Sequence, residues 1–362
     1  MDSLQLETQE KPTSVASLLA KSLLFTLLFL GLFLILTLGA VGFWAKQQLT
    51  VFSSNAGMPL QELWQTAQTG WNTAPTQEDG HITFLVLGTD YLPTRGNAPV
   101  LTDTMLIASL NLGSGQVNLL PLPRDLWSVQ YKTKINALYW YGGQRDSANP
   151  AAFPKEVLQE MTGVKFQHTI VVNLNQVSEL IDLLGGIEVD VPEGFIDKEF
   201  PRPDVDVTIE RDPAKLYQTI EFTQGKQLMN GERVLQYIRS RHSGDDQGDD
   251  IARGNRQQLV LKSLMARMRS REVLTSPVTM GKLLAWYQKN FAQQLPVTEA
   301  IAIGHALVPV RDKIELKSHQ LSIFPDDPNG VITHPDPKKY DKQWVYEVRD
   351  QEGFRKSFKF SN

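Results

Sequence analysis

The chain has 362 residues, 41% hydrophobic and 21% charged, with a formal net charge of −4. That composition belongs to a folded protein, and the negative balance excludes bulk electrostatic binding of nucleic acid. There is no cysteine, and the six histidines form no HxH or HxxxH pair. Disulfides, thiolate catalysis, cysteine zinc sites and a lipidated N-terminal cysteine are therefore excluded, and a histidine metal site is disfavoured.

Ser22 to Ala45 runs twenty-four residues without a charge, between Lys21 and Lys46. This exceeds the roughly 20 residues that cross a bilayer core and the roughly 7–15 apolar residues of a cleavable signal peptide. The reading is a transmembrane signal-anchor over 22–45, with Ala40-Val41-Gly42 leaving cleavage as the alternative. Lys11 and Lys21 precede the span, and only Lys46 follows it before Arg95. That bias places the short segment 1–21 inside and the bulk of the chain outside the cytoplasm, in a single-pass cell-membrane topology. Residues 46–80 read as a polar extracytoplasmic linker, a stalk whose Trp64 and Trp71 could instead rest on the domain or on lipid headgroups.

The main domain is expected over 81–330. Ile82–Gly88 is a nearly continuous apolar run ending in glycine, the pattern of a strand buried on both faces. Met105–Asn111 and Val117–Leu122 read as strands joined through a turn at Gly113-Ser114-Gly115. Helices are expected at Lys134–Tyr141 and Pro154–Met161, a strand at His168–Asn173, a helix from Asn175 to Gly185-Gly186, and a strand at Ile187–Pro192. Alternating strands and helices with one hairpin predict an α/β domain whose mixed β-sheet is flanked by helices. Glu193–Thr223, rich in Pro, Asp and Arg, reads as a surface insertion. Helices follow up to Arg239, from about Arg253 to Arg269, at Val278–Lys289 and at Val297–Leu307. Ile314–Ile323 alternates like a strand, and the polar last forty residues either close the domain or trail from it, 331–362 being read as a C-terminal tail.

Four places carry candidate chemistry. Asp90 directly follows the first strand, where ligands of α/β sheets sit, and Asp103 adjoins the second. A crossover of about a dozen residues would bring the two carboxylates together, a set that suits Mg²⁺; the alternative is that each caps a turn. Arg124-Asp125 ends the third strand, as a structural ion pair or as catalytic groups. The fourth is Asn230–Gln258, where four arginines (Arg239, Arg241, Arg253, Arg256) and four aspartates (Asp245, Asp246, Asp249, Asp250) fall within eighteen residues. Forked guanidinium groups repeated at one helix end and the next helix start suit phosphate or carboxylate. Arg239 and Arg241 lie two apart and so do not share a helical face. No GxSxG, HExxH, Walker A or strand-helix GxGxxG occurs, which removes support for the ordinary hydrolase, protease, NTPase and dinucleotide readings.

Together, VLGTD (Val86–Asp90), TDTM (Thr102–Met105), PLPRD (Pro121–Asp125), KINALYWYGG (Lys134–Gly143), LLGGIEVDVP (Leu183–Pro192), LMNGERVLQYIRSR (Leu228–Arg241) and DIARGNRQQ (Asp250–Gln258) resemble the LytR-CpsA-Psr family of envelope proteins. The order of the seven motifs and the single N-terminal anchor match as well. The resemblance implies an α/β/α domain and an extracytoplasmic transferase. Its members move a glycopolymer from a polyprenyl-diphosphate carrier to a hydroxyl of peptidoglycan or a related acceptor. It implies that Asp90 and Asp103 hold Mg²⁺, and that Arg124, Arg239, Arg241, Arg253, Arg256 and Gln257 surround the diphosphate. Asp250 would be the base for the acceptor hydroxyl, with Asp125 the second choice, and the lipid tail would enter the core between sheet and helices. Leu92 and Leu101 stand where the family usually has arginines. A polyprenyl-diphosphate hydrolase and a non-catalytic lipid-diphosphate binder are the alternatives.

Overall fold

The computed structural model describes residues 15–90, 99–205, 209–241 and 250–360. A first helix, α1 (Val15–Ala56), contains a stretch long and apolar enough to cross a membrane, Leu32–Ala56 among the described residues. Its apolar side chains from Leu32 to Leu38 are exposed to the surroundings, as expected of a helix apolar on all sides. After a tight turn comes α2 (Leu60–Asn72).

The linker is not a free stalk. A Cβ on Gly70 of α2 would lie 2.7 Å from Ile301 Cβ, and Trp71 stacks on His305 with ring centroids 3.8 Å apart. The end of α1 is equally close to the domain: a Cβ on Gly281 would meet the Phe52 carbonyl at 2.6 Å. Glycine at these two positions lets backbones approach more closely than any side chain would permit.

The chain then forms β1 (His81–Thr89), β2 (Thr102–Asn111) and β3 (Gln116–Leu122). The predicted turn is present between β2 and β3. Asn111 Oδ1 accepts the N–H groups of Gly113 and Ser114 at 2.9 Å, and Gly115 takes φ 78°. Next come α3 (Leu138–Arg145), α4 (Ala152–Thr162), β4 (His168–Asn173) and α5 (Leu174–Leu183). A capping box of Asn173 and Gln176 starts α5, and Gly185 and Gly186, both at positive φ, end it as C-terminal glycines do.

β5 (Ile187–Val191) is followed by a hairpin, β6 (Phe195–Pro201) and β7 (Tyr217–Phe222). This corrects the expected surface insertion: Phe195, Phe200, Ile220 and Phe222 are buried. A register shift between Asp197 and Phe200 breaks the alternation that would have revealed the strand. β8 (Gly225–Met229) pairs antiparallel with β5, and α6 (Gly231–Arg239), α7 (Asp250–Met268), α8 (Pro277–Asn290) and α9 (Val297–Leu307) follow. β9 (Glu315–Ser318) is a short exposed edge strand, shorter than the predicted 314–323.

The central sheet is mixed, in the order β9-β3-β2-β1-β4. β1 pairs antiparallel with β2 and parallel with β4. The 90–101 connection thus joins antiparallel neighbours and is not a crossover. One core packs Leu85, Leu87, Ile107 and Leu120 of the sheet against Phe153, Val157 and Leu158 of α4. Ile332, Phe354 and Phe358 belong to the same core, so the segment after 330 closes the domain and is not a tail. A second core joins α5, the β5–β8 strands, α6 and α7.

Candidate functional site

The sheet pairing brings four chain segments to one edge. The C-terminal ends of β1, β3 and β4 and the start of β2 lie side by side, with Thr89 opposite both Thr102 and Asn173, and Met105 opposite Leu122. Asp90 and Arg124 extend from two of these ends. Asp103 is the extra residue where Gly88 pairs with Thr104 but Thr89 pairs with Thr102. A bulge of this kind re-aims a side chain at the edge of a sheet.

Each of the two aspartates is met by an arginine. Asp90 Oδ1 accepts from Arg239 Nη2 at the end of α6, a pair with side chains only 22% and 16% exposed. Asp103 Oδ1 accepts from Arg124 Nη1 at 2.7 Å. The second pair is more than 40% exposed on both sides, and exposed ion pairs contribute only about 0–1 kcal/mol. Folding stability alone therefore gives little reason for it. Arg239 Nε is buried without a hydrogen-bond partner among the described residues, an unused donor beside a carboxylate.

Asp125 is committed elsewhere. Its Oδ1 accepts from Lys134 Nζ at 2.6 Å and its Oδ2 lies 3.6 Å from Arg124 Nε. Lys134, unassigned from the sequence, thus completes the ion-pair node beneath Arg124. Asn136 N–H donates to the Arg124 carbonyl at 3.2 Å, fixing the same turn.

The second arginine segment divides. Arg241 is exposed and off the helix, its N–H donating to Asp197 Oδ2 at 3.2 Å. Arg253 is half-buried on the first turn of α7, and Gln257 is exposed one turn further on. Arg256 departs from the expectation: it is 2% exposed and turns inward to the carbonyls of Tyr237 and Ser240. One guanidinium of the cluster is thus spent on the end of α6, because a helix C-terminus leaves carbonyls to be satisfied. The side chain of Asp250, and Leu92, Arg95, Asp245, Asp246 and Asp249, lie outside the described residues; Leu101 is exposed.

A family model described as the LytR_cpsA_psr family matches residues 50–347, most of the chain. The protein belongs to the LytR-CpsA-Psr family. Among its relatives is the polyisoprenyl-teichoic acid–peptidoglycan teichoic acid transferase TagV of Bacillus subtilis (strain 168). It is 27% identical over 227 residues, 61% of this chain and 51% of TagV. The regulatory protein MsrR of Staphylococcus aureus (strain Mu50 / ATCC 700699) is 27% identical over 220 residues, 60% of this chain and 58% of MsrR. The chain spans little more than half the length of these curated relatives. The crystal structure of B. subtilis TagV aligns with a TM-score of 0.47 at 20% identity, covering 78% of this chain and 96% of that one. The family protein YwtF (TagT) with bound octaprenyl pyrophosphate lipid aligns at 0.41 and 16%, covering 77% and 88%.

Among the described residues, no group of three or more His, Cys, Asp or Glu gathers as a metal cage. Asp90 and Asp103 are the residues whose donor chemistry would suit Mg²⁺. They are two hard carboxylates at adjoining strand ends, and Mg²⁺ takes few protein ligands and completes its shell with water and phosphate oxygens.

Proposed function

We propose that this protein is a membrane-anchored phosphotransferase. In this reading it moves a glycopolymer from a polyprenyl-diphosphate carrier to a hydroxyl of peptidoglycan or another envelope acceptor. The observation that carries the reading is the convergence of Arg239-Asp90 and Arg124-Asp103 on one edge of the sheet, from segments 149 and 21 residues apart in sequence. Phosphoryl transfer asks for positioning and charge neutralisation more than for a covalent helper. Fixed arginine forks supply both.

Arg239 and Arg124 would hold the diphosphate, with Arg241, Arg253 and Gln257 closing on it from the α6 and α7 ends. Mg²⁺, bound by Asp90 and Asp103, would supply screening of the diphosphate charge. Asp250 would take the proton of the acceptor hydroxyl as its oxygen bonds the sugar-linked phosphorus, the diphosphate P–O bond breaks and polyprenyl phosphate leaves. Asp125 is the weaker choice for that role, since both its oxygens face cations. Half-buried apolar side chains beside the second core, among them Leu259, Met280, Leu283 and Trp286, offer the polyprenyl tail a surface it would otherwise lack. The α1 span would anchor the domain outside the cytoplasm, close to a lipid-borne donor. The name of TagV, a teichoic acid transferase, and the octaprenyl pyrophosphate held by YwtF support the same donor class.

The test is turnover by full-length protein in detergent with Mg²⁺, a lipid-diphosphate oligosaccharide and peptidoglycan fragments. Sugar phosphate attached to the fragments is expected. Its release into solution alone would mean hydrolysis, and binding with no turnover would leave a lipid-diphosphate binder.

A further inference from the structure

The end of α6 is held by three side chains, those of Arg256, Asp197 and Ser240. Arg256 crosses from α7, its Nε donating to the Tyr237 carbonyl at 2.8 Å and its Nη2 to the Ser240 carbonyl at 2.7 Å. Its guanidinium also lies 4.9 Å from the ring centroid of Phe195 on β6. Asp197, fully buried on β6, accepts the Ser240 hydroxyl at 2.6 Å and the Arg241 N–H at 3.2 Å through Oδ2. Its Oδ1 takes the Glu199 N–H at 3.0 Å. Ser240, also fully buried, has left helical geometry at φ −56°, ψ 135°.

We propose that Arg256, Asp197 and Ser240 form a positioning clasp. It fixes where α6 stops, and so directs Arg239 at Asp90 and sends Arg241 off the helix axis. None of the three touches the diphosphate. This rests on the reading of Arg239 as a diphosphate ligand.

Three observations carry it. The clasp brackets the two residues at issue, gripping 237 and 240 on one side and 240 and 241 on the other. A helix end with orphan carbonyls frays unless something satisfies them, and a frayed last turn would free Arg239 to rotate away from Asp90. Buried carboxylate and guanidinium groups are also costly to place in a core that apolar residues fill more cheaply. Here both direct hydrogen bonds to the α6 terminus and the bulge of β6.

A double-mutant cycle of Asp90→Ala and Arg239→Ala, read from denaturant unfolding of the full chain, measures the coupling of that pair. The same cycle in a Ser240→Ala background is expected to show it lost. Ser240→Ala removes one hydroxyl and leaves the Arg256 bonds in place, so the fold should survive. In the transfer assay, Ser240→Ala is expected to lower kcat/KM about tenfold, the scale of coupled neighbouring residues. It is expected to add little once Arg239 is already alanine. Arg256→Lys, which keeps the charge but cannot span both carbonyls, should be as impaired as Arg256→Met. Persistence of the Asp90–Arg239 coupling in Ser240→Ala, full additivity of the kinetic losses, or near-normal turnover by Arg256→Lys would each overturn the clasp. Intact coupling loss with no turnover by the unaltered protein would instead sink the transferase reading and leave the clasp standing.

Discussion

Arg239 and Arg124 differ in how their partners hold them, the first in a shielded pair and the second in an exposed one. Arg239→Ala removes a shielded donor that the proposed function places beside the reacting phosphates, so turnover in the transfer assay is expected to fall by about 10²–10³, as for other preorganised charge-stabilising donors. Arg239→Lys should recover only part of this, because a point charge cannot replace the fork. His168 offers a residue-scale test of stability. It is buried at the start of β4, with Nε2 3.5 Å from Glu299 Oε1. Burial, helped by Lys155, holds its pKa below the ordinary histidine value despite Glu299. The unfolded chain therefore binds this proton first as pH falls. Folding stability should decline below about pH 6.5, the free histidine value. Urea midpoints measured across that range would show the slope, and His168→Gln should flatten it.

At the scale of elements, the contact of α5 with α6 depends on a glycine. A Cβ on Gly231 would lie 2.2 Å from Ser178 Oγ and 2.3 Å from the Ser178 carbonyl. Gly231→Ala is expected to push the two helices apart and cost about 1–3 kcal/mol in denaturant unfolding, the usual penalty of overpacking. Phe354→Ala should cost about 3–5 kcal/mol, since Phe354 is fully buried in the core shared with β1. That result would separate a closing element from a tail. Most strands and helices were legible because their apolar periods were clean. The β6–β7 hairpin was not, because a bulge shifts its alternation and an aspartate, Asp197, occupies one of its buried positions.

For the whole molecule, α1 carries a stretch long and apolar enough to cross a membrane and is also a packing element, its last turns meeting Gly281 on α8. Removal of residues 1–45 is expected to leave a folded domain that no longer partitions with membranes. Removal of 1–72 should lower the melting temperature as well, by stripping α2 from Ile301 and His305. Chelation of Mg²⁺ should abolish transfer in the assay and lower the free energy of unfolding by no more than the binding linkage, about 2.7 kcal/mol where free Mg²⁺ stood at a hundred times its Kd.

The sequence by itself determined the α/β class, the apolar N-terminal span, the family and the residue types at the site. Each is written in local periodicity or in short motifs such as VLGTD and PLPRD. Only the tertiary structure decided which arginine meets which aspartate. Asp90 and Arg239 are 149 residues apart, and no local pattern encodes that distance. It also decided that Arg256 turns away, because two carbonyls at the end of α6 need its protons more than solvent does. Among the arginines of Asn230–Gln258, alike as residue types, Arg239 thereby meets the sheet edge and Arg256 holds the helix behind it.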